Sequence, residues 1–198
     1  QLGAALAAEG QFVHSAAQIE EAVATFRDAA AAFDRATEPL EWARAKRNVG
    51  ATLAVLGEHD PDTGRLADAV LAYREALDVY TETNAPTDWA MTQSNLGHAA
   101  RVLGERWDDL SLLEQAVVAC EAALRVYTRE ASRRDHAMTQ TNLGNALSAL
   151  GVREGDAARQ DAAMACYRVA LDCLTGADEE GYRAVTRFNL ALAERRRR

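Results

Sequence analysis

Two kinds of apolar stripe alternate along the chain, both at helical period. The first kind puts Trp42, Val49, Leu53 and Leu56 on one face, at spacings of 7, 4 and 3. The second runs Leu66, Ala69, Val70, Tyr73, Ala76, Leu77 and Tyr80, an alternation of threes and fours lasting four turns. Such spacing marks a helix that buries one side and wets the other. Shifted by 47 residues, the second stripe becomes Leu113, Ala116, Val117, Cys120, Ala123, Leu124 and Tyr127. A further shift gives Gln160, Ala163, Met164, Tyr167, Ala170, Leu171 and Leu174, and a backward one gives Ile19, Ala22, Val23, Phe26, Ala29, Ala30 and Phe33. Gln160 alone breaks the apolar column.

The first kind of stripe recurs at the same step. Asp135 to Gly151 reads DHAMTQTNLGNALSALG, Asp88 to Gly104 reads DWAMTQSNLGHAARVLG, and Glu41 to Gly57 reads EWARAKRNVGATLAVLG. Asn48, Asn95, Asn142 and Asn189 are each 47 apart, Gly50, Gly97 and Gly144 keep that step, and Gly3 and Gly10 fall into its register. A fixed period of this size signals stacked structural repeats, each burying its apolar face against its neighbours.

The stripes and their punctuation predict about nine helices: a partial one over 1–10, then 16–36, 40–57, 64–83, 87–104, 109–130, 134–151, 157–175 and 180–197. Gly57, Gly104 and Gly151 stand where a left-handed residue would end a helix. Pro39 and the Asn84 to Asp88 segment separate units, with Thr87 or Asp88 placed to cap the helix that follows. The units run over 1–39 (partial), 40–86, 87–133, 134–179 and 180–198 (partial), all within one repeat domain. Neither end coincides with a unit boundary and no polar capping helix is visible, which leads us to expect a segment of a longer protein.

Composition narrows the function. Aromatics are only 6% against 48% hydrophobic, so alanine supplies much of the apolar count, as suits helices. A net charge of −8 argues against nonspecific nucleic-acid binding, which needs a basic face. Cys120, Cys166 and Cys173 form an odd count without CxxC spacing, as expected of reduced thiols in a cytoplasmic protein. No apolar run approaches the ~20 residues of a membrane span.

Asn142-Leu143-Gly144-Asn145-Ala146, with Gly151 seven beyond Gly144, resembles the first-helix core of the tetratricopeptide repeat family. Ala69, Tyr73 and Ala76-Leu77, and again Ala163, Tyr167 and Ala170-Leu171, are similar to that family's second helix. The resemblance implies an all-α, right-handed superhelical solenoid of antiparallel helix pairs. Its departure is length, 47 residues against the usual ~34, with the additions between helices and between units. Long repeats of this MTQxNLG kind look like those in bacterial signalling proteins, where they stand beside NTPase or caspase-like protease domains.

In the family, ligand contacts come from first-helix positions four and one before the Asn and three and six after it. That implies Arg44, Arg47, Ala51 and Ala54; Met91, Ser94, His98 and Arg101; Met138, Thr141, Asn145 and Ser148; and Val185 and Phe188. The basic and polar members (Arg44, Arg47, Ser94, His98, Arg101, Thr141, Asn145 and Ser148) form a candidate groove for an acidic or C-terminal-carboxylate peptide. Pairing of those arginines with neighbouring acids on wet helices is the other reading. Gly50, Gly97 and Gly144 cost ~1 kcal/mol each against Ala inside a helix; close helix approach, with alanines of the next helix facing them, is the expected return. The Asn amide is expected to bond the adjacent unit and set the stacking register.

Chemistry finds no foothold. The four histidines lack metal-site spacing, and no GxxxxGK[ST], GxGxxG or GxSxG pattern occurs. Cys120 shares a column with Phe26, Tyr73 and Tyr167, which marks it as core rather than nucleophile. We therefore expect a non-enzyme without cofactor or metal. It would bind a protein or peptide rather than nucleic acid or membrane. A structural spacer whose open ends self-associate, or a ligand sensor regulating an attached effector, remain the alternatives. Trp107 is expected in a connecting loop.

Overall fold

The computed structural model describes residues 20–197. The expected helix over 1–10 and the start of the next lie outside them. Among the described residues every regular element is helical. The chain forms two compact units, Gln1–Val79 and Tyr80–Arg198.

The first unit holds α1 (20–32), α2 (Pro39–His59) and α3 (Gly64–Leu77). Pro39 opens α2, where its missing N–H costs nothing. Ion pairs tie α1 to α3: Arg27 meets Asp68 at 3.4 Å, and Arg65 reaches Glu20. Two cations lie over the Trp42 ring, Arg35 at 4.7 Å and Lys46 at 5.3 Å from its centroid.

The second unit holds α4 (Pro86–Trp107), α5 (Leu110–Leu124), α6 (Arg133–Glu154), α7 (Ala157–Cys173), a 3-10 turn (Ala177–Glu179) and α8 (Glu180–Arg197). Consecutive helices pack on one another, and the first-type helices α4, α6 and α8 are also direct neighbours in that order. Helix direction follows from two rows of glycine contacts. A Cβ built on Gly97 would lie 2.5 Å from Cys120 Sγ, and one on Gly104 3.0 Å from Leu113 Cδ2. Seven residues forward on α4 is therefore seven backward on α5, so the pair is antiparallel. Gly144 with Tyr167 and Gly151 with Gln160 repeat the relation in α6 and α7, as do Gly50 with Tyr73 and Gly57 with Leu66 in the first unit.

These contacts correct two expectations. The mid-helix glycines do permit close approach, but Gly50 and Gly144 face tyrosine rings, and Gly97 faces the Cys120 thiol beside the Ala116 carbonyl. Gly57, Gly104 and Gly151 do not end their helices. Each is buried under its partner helix, and the helix runs on to His59, Trp107 or Glu154. Among the described residues the left-handed ones are Asp108 (φ 54°) and Gly155 (φ 65°). Trp107 is accordingly the last residue of α4, not a loop residue, and it is exposed.

The second-type helices stop short, at Leu77 and Leu124 rather than 83 and 130. Local polar bonds capture the backbone there. Thr81 N–H donates to Asn84 Oδ1 at 2.8 Å, and Ala131 N–H to Thr128 Oγ1 at 3.1 Å. Tyr80 and Tyr127 nevertheless stay buried beyond the helix ends. Neither Thr87 nor Asp88 caps α4, which begins at Pro86 without a side-chain cap. Asp109 and Asp156 supply caps for α5 and α7, each accepting two backbone N–H bonds.

Candidate functional site

A cleft of about 390 Å³ opens in the second unit where α4, α6 and α8 lie side by side. His98 and Arg101 come from α4, Asn145 and Ser148 from α6, Asn189 and Arg196 from α8, and Tyr167 rises from α7 behind them. The helical repeat sets this arrangement. His98 and Asn145 are three residues past the recurrent Asn, and Arg101 and Ser148 six past it, so equivalent positions on stacked helices share one surface.

Asn145 is the hub. Its Oδ1 accepts from Tyr167 Oη at 2.8 Å and from Asn189 Nδ2 at 2.9 Å. Both bonds fall on the oxygen, which leaves the Asn145 amide N–H groups without a partner among the described residues. Tyr167 is fixed from below by Gly144, and its burial raises the phenol pKa, so the hydroxyl remains a donor.

Charge in the cleft is arginine against one acid. Arg101 donates to Glu105 at 2.7 Å, while its buried Nε has no partner. Among the described residues the Arg196 guanidinium donates only to Ser148 Oγ, at a long 3.5 Å. Ser148 in turn donates to Gln160 Oε1 at 3.1 Å, and Gln160 Nε2 donates back to the Ser148 carbonyl at 2.8 Å. That reciprocal pair explains how a glutamine sits buried in an apolar column. Unsatisfied donors and an uncompensated guanidinium make the cleft fit to receive oxygen acceptors or a carboxylate.

Of the residues expected in a groove, His98, Arg101, Asn145 and Ser148 meet here. Ser94 and Thr141 do not. Ser94 is buried between α4 and α6, 3.0 Å from Thr139 Oγ1, and Thr141 lies 3.2 Å from Thr186 Oγ1 between α6 and α8. Their position, one before the Asn, faces the next first-type helix. Asn142 Nδ2 reaches Ser94 Oγ at 3.5 Å, so Asn142 and Asn189 each bond to the preceding repeat. Asn48 and Asn95 are half-buried.

In the first unit Arg44 is exposed and pairs with Glu41 one turn away. Arg47 is half-buried near Tyr73, where its charge opposes the larger effect of burial, which raises that phenol's pKa. Polar cleft members that the groove positions omit are Glu105, Tyr167, Asn189 and Arg196. Glu105, four after Arg101 on one helix, was detectable as an i, i+4 pair. Arg196 was not, because it reaches the cleft only through the packing of α8 on α6.

Among the described residues no cluster of three or more His, Cys, Asp or Glu could hold a metal ion, and no helix is long and apolar enough to cross a membrane. Cys120, Cys166 and Cys173 are free thiols. Neither a family model nor a curated protein matches the sequence.

Proposed function

We propose that the chain is a non-catalytic, tetratricopeptide-like interaction module that receives a peptide segment or a partner domain in the α4–α6–α8 cleft. The observation that carries this reading is the pairing of a fixed frame with a variable lining. Glycine, asparagine and bulky second-helix positions recur through the units, whereas position three past the Asn changes from Ala51 to His98 to Asn145, and position six from Ala54 to Arg101 to Ser148. Side-chain chemistry that varies on a fixed frame is what a recognition surface needs. The module works in the cytoplasm, with reduced thiols, inside a signalling or regulatory protein.

The test is capture from the native host's lysate with the intact chain and with a His98→Glu, Arg196→Glu variant of unchanged melting temperature. A partner retained by the first and lost by the second is the expected result. A partner indifferent to the variant would place recognition elsewhere.

A further inference from the structure

Methionine marks the approach to the cleft. Met91 on α4 is 40% exposed and Met138, at the equivalent place on α6, is half-buried, whereas Met164 lies in the core. The position, four before the recurrent Asn, is no part of the fixed frame, since the first unit has Arg44 there. Met91 stands seven residues before His98, and Met138 seven before Asn145. Residues seven apart share one side of a helix, and His98 and Asn145 both line the cleft. The two thioethers thus make an apolar row on the cleft's own surface, two turns nearer the helix N-termini. Unbranched, polarizable side chains of this kind give adaptable contact area.

The polar end of the surface suits a carboxylate. Arg101 has a side chain only 15% exposed, gives one nitrogen to Glu105 at 2.7 Å, and keeps a buried Nε without a partner. Asn145 has its oxygen engaged by Tyr167 and Asn189, which leaves Nδ2 to donate. Glu105 is the one acid lining the cleft, against Arg101 and Arg196. It also shows what the Arg101 guanidinium accepts: a carboxylate carried on a side chain.

Distance selects the shape of the occupant. Seven residues of α6 separate Met138 from Asn145, a rise of about 10.5 Å. Two turns of α-helix, about 10–12 Å across, would fill on the order of 800 Å³. That is twice the cleft, which holds about 390 Å³. A polyproline-II strand is thinner. It rises ~3.1 Å per residue and returns to the same side at every third, so residues i and i+3 face one surface ~9 Å apart.

We propose that the cleft receives an extended segment of a partner protein in which an acidic and an apolar side chain stand three residues apart. The apolar side chain rests on Met91 and Met138, and the carboxylate bonds Arg101 and the Asn145 amide. The proposal rests on the cleft being the partner-binding site.

The test uses the whole chain and fluorescence anisotropy with labelled proline-rich peptides of about nine residues, acetylated and amidated, holding leucine and glutamate three apart in either order. Expected is saturable binding of one order. Glutamine for the glutamate, serine for the leucine, Asn145→Asp, or Met91→Ser with Met138→Ser should each weaken it about tenfold or more. Val118→Asp, on the exposed side of α5, should leave it within about twofold. Absence of saturable binding in both orders, or binding indifferent to the methionine pair, would overturn the proposal. So would tighter binding of a peptide whose sole carboxylate is its C-terminus, or of an alanine-rich helix with leucine and glutamate seven apart. A host partner lost from the His98→Glu, Arg196→Glu variant but kept by Met91→Ser, Met138→Ser would leave the cleft reading standing and this one overturned.

Discussion

A Cβ placed on Gly144 would sit 2.6 Å from Cε1 of Tyr167, closer than real Cβ atoms approach anything. The α6–α7 distance is thus set by a missing methyl group, and the Tyr167 hydroxyl is thereby delivered to Asn145. Gly144→Ala gains ~1 kcal/mol of helix propensity but forces the ring aside at a cost of about 1–3 kcal/mol, plus the lost hydrogen bond. We expect a net loss of ~1–3 kcal/mol in urea unfolding. In Gly144→Ala, Tyr167→Leu the Gly144→Ala cost should largely vanish. Equal costs in both backgrounds would show that the ring and the glycine are not coupled.

Ser94 and Thr139 share a buried hydrogen bond of 3.0 Å between α4 and α6. Ser94→Ala strands the Thr139 hydroxyl and the Asn142 amide, and should cost ~1–3 kcal/mol. Adding Thr139→Val removes the stranded group, so the double variant should be more stable than the sum of the two single losses implies. Chemical denaturation of the four proteins in the cycle checks this.

Burial pushes the Cys120 thiol up to about 12 and the Cys166 thiol up to about 11. An unfolded chain releases these protons near pH ~8.5, while the folded protein keeps them. Their contribution to stability is therefore full below pH ~8.5 and is lost as pH rises from there toward the folded values, at up to ~1.4 kcal/mol per pH unit per thiol. Denaturation midpoints between pH ~8.5 and ~10 should fall less steeply for Cys120→Ala, Cys166→Ala than for the parent. Iodoacetamide at pH ~8 should leave Cys120 unmodified until the protein unfolds.

Asn145→Ala removes the acceptor for Tyr167 and Asn189 together. A loss of ~1–3 kcal/mol is expected, with the new hydrogen-exchange protection losses concentrated in α8. Asn145→Asp keeps the acceptor and removes the free amide donors, so it should preserve stability far better while weakening an acidic partner. Equal destabilisation by both would contradict the division of labour between the two ends of this side chain.

The repeat made most of the packing legible beforehand. Tyr73, Cys120 and Tyr167 occupy one column, and Gly50, Gly97 and Gly144 another, because each unit solves the same packing problem. Boundaries were less legible. Gly104 reads as a terminator in isolation, yet burial against Leu112 and Leu113 holds it inside α4, and Asp108 takes the left-handed turn. The site was half legible. His98, Arg101, Asn145 and Ser148 follow from the contact positions that the family resemblance implies, whereas Ser94 and Thr141, implied by the same positions, look like surface residues until the next helix is laid over them. Arg196 and Tyr167 enter the cleft through contacts between helices, which a one-dimensional pattern does not record.

The central claim is that a partner occupies the α4–α6–α8 cleft. A photo-crosslinking residue installed at His98, and separately at Val118 on α5, tests it in the native host. The account predicts a discrete adduct from position 98 and none from 118. An adduct from 118 with none from 98 would contradict it.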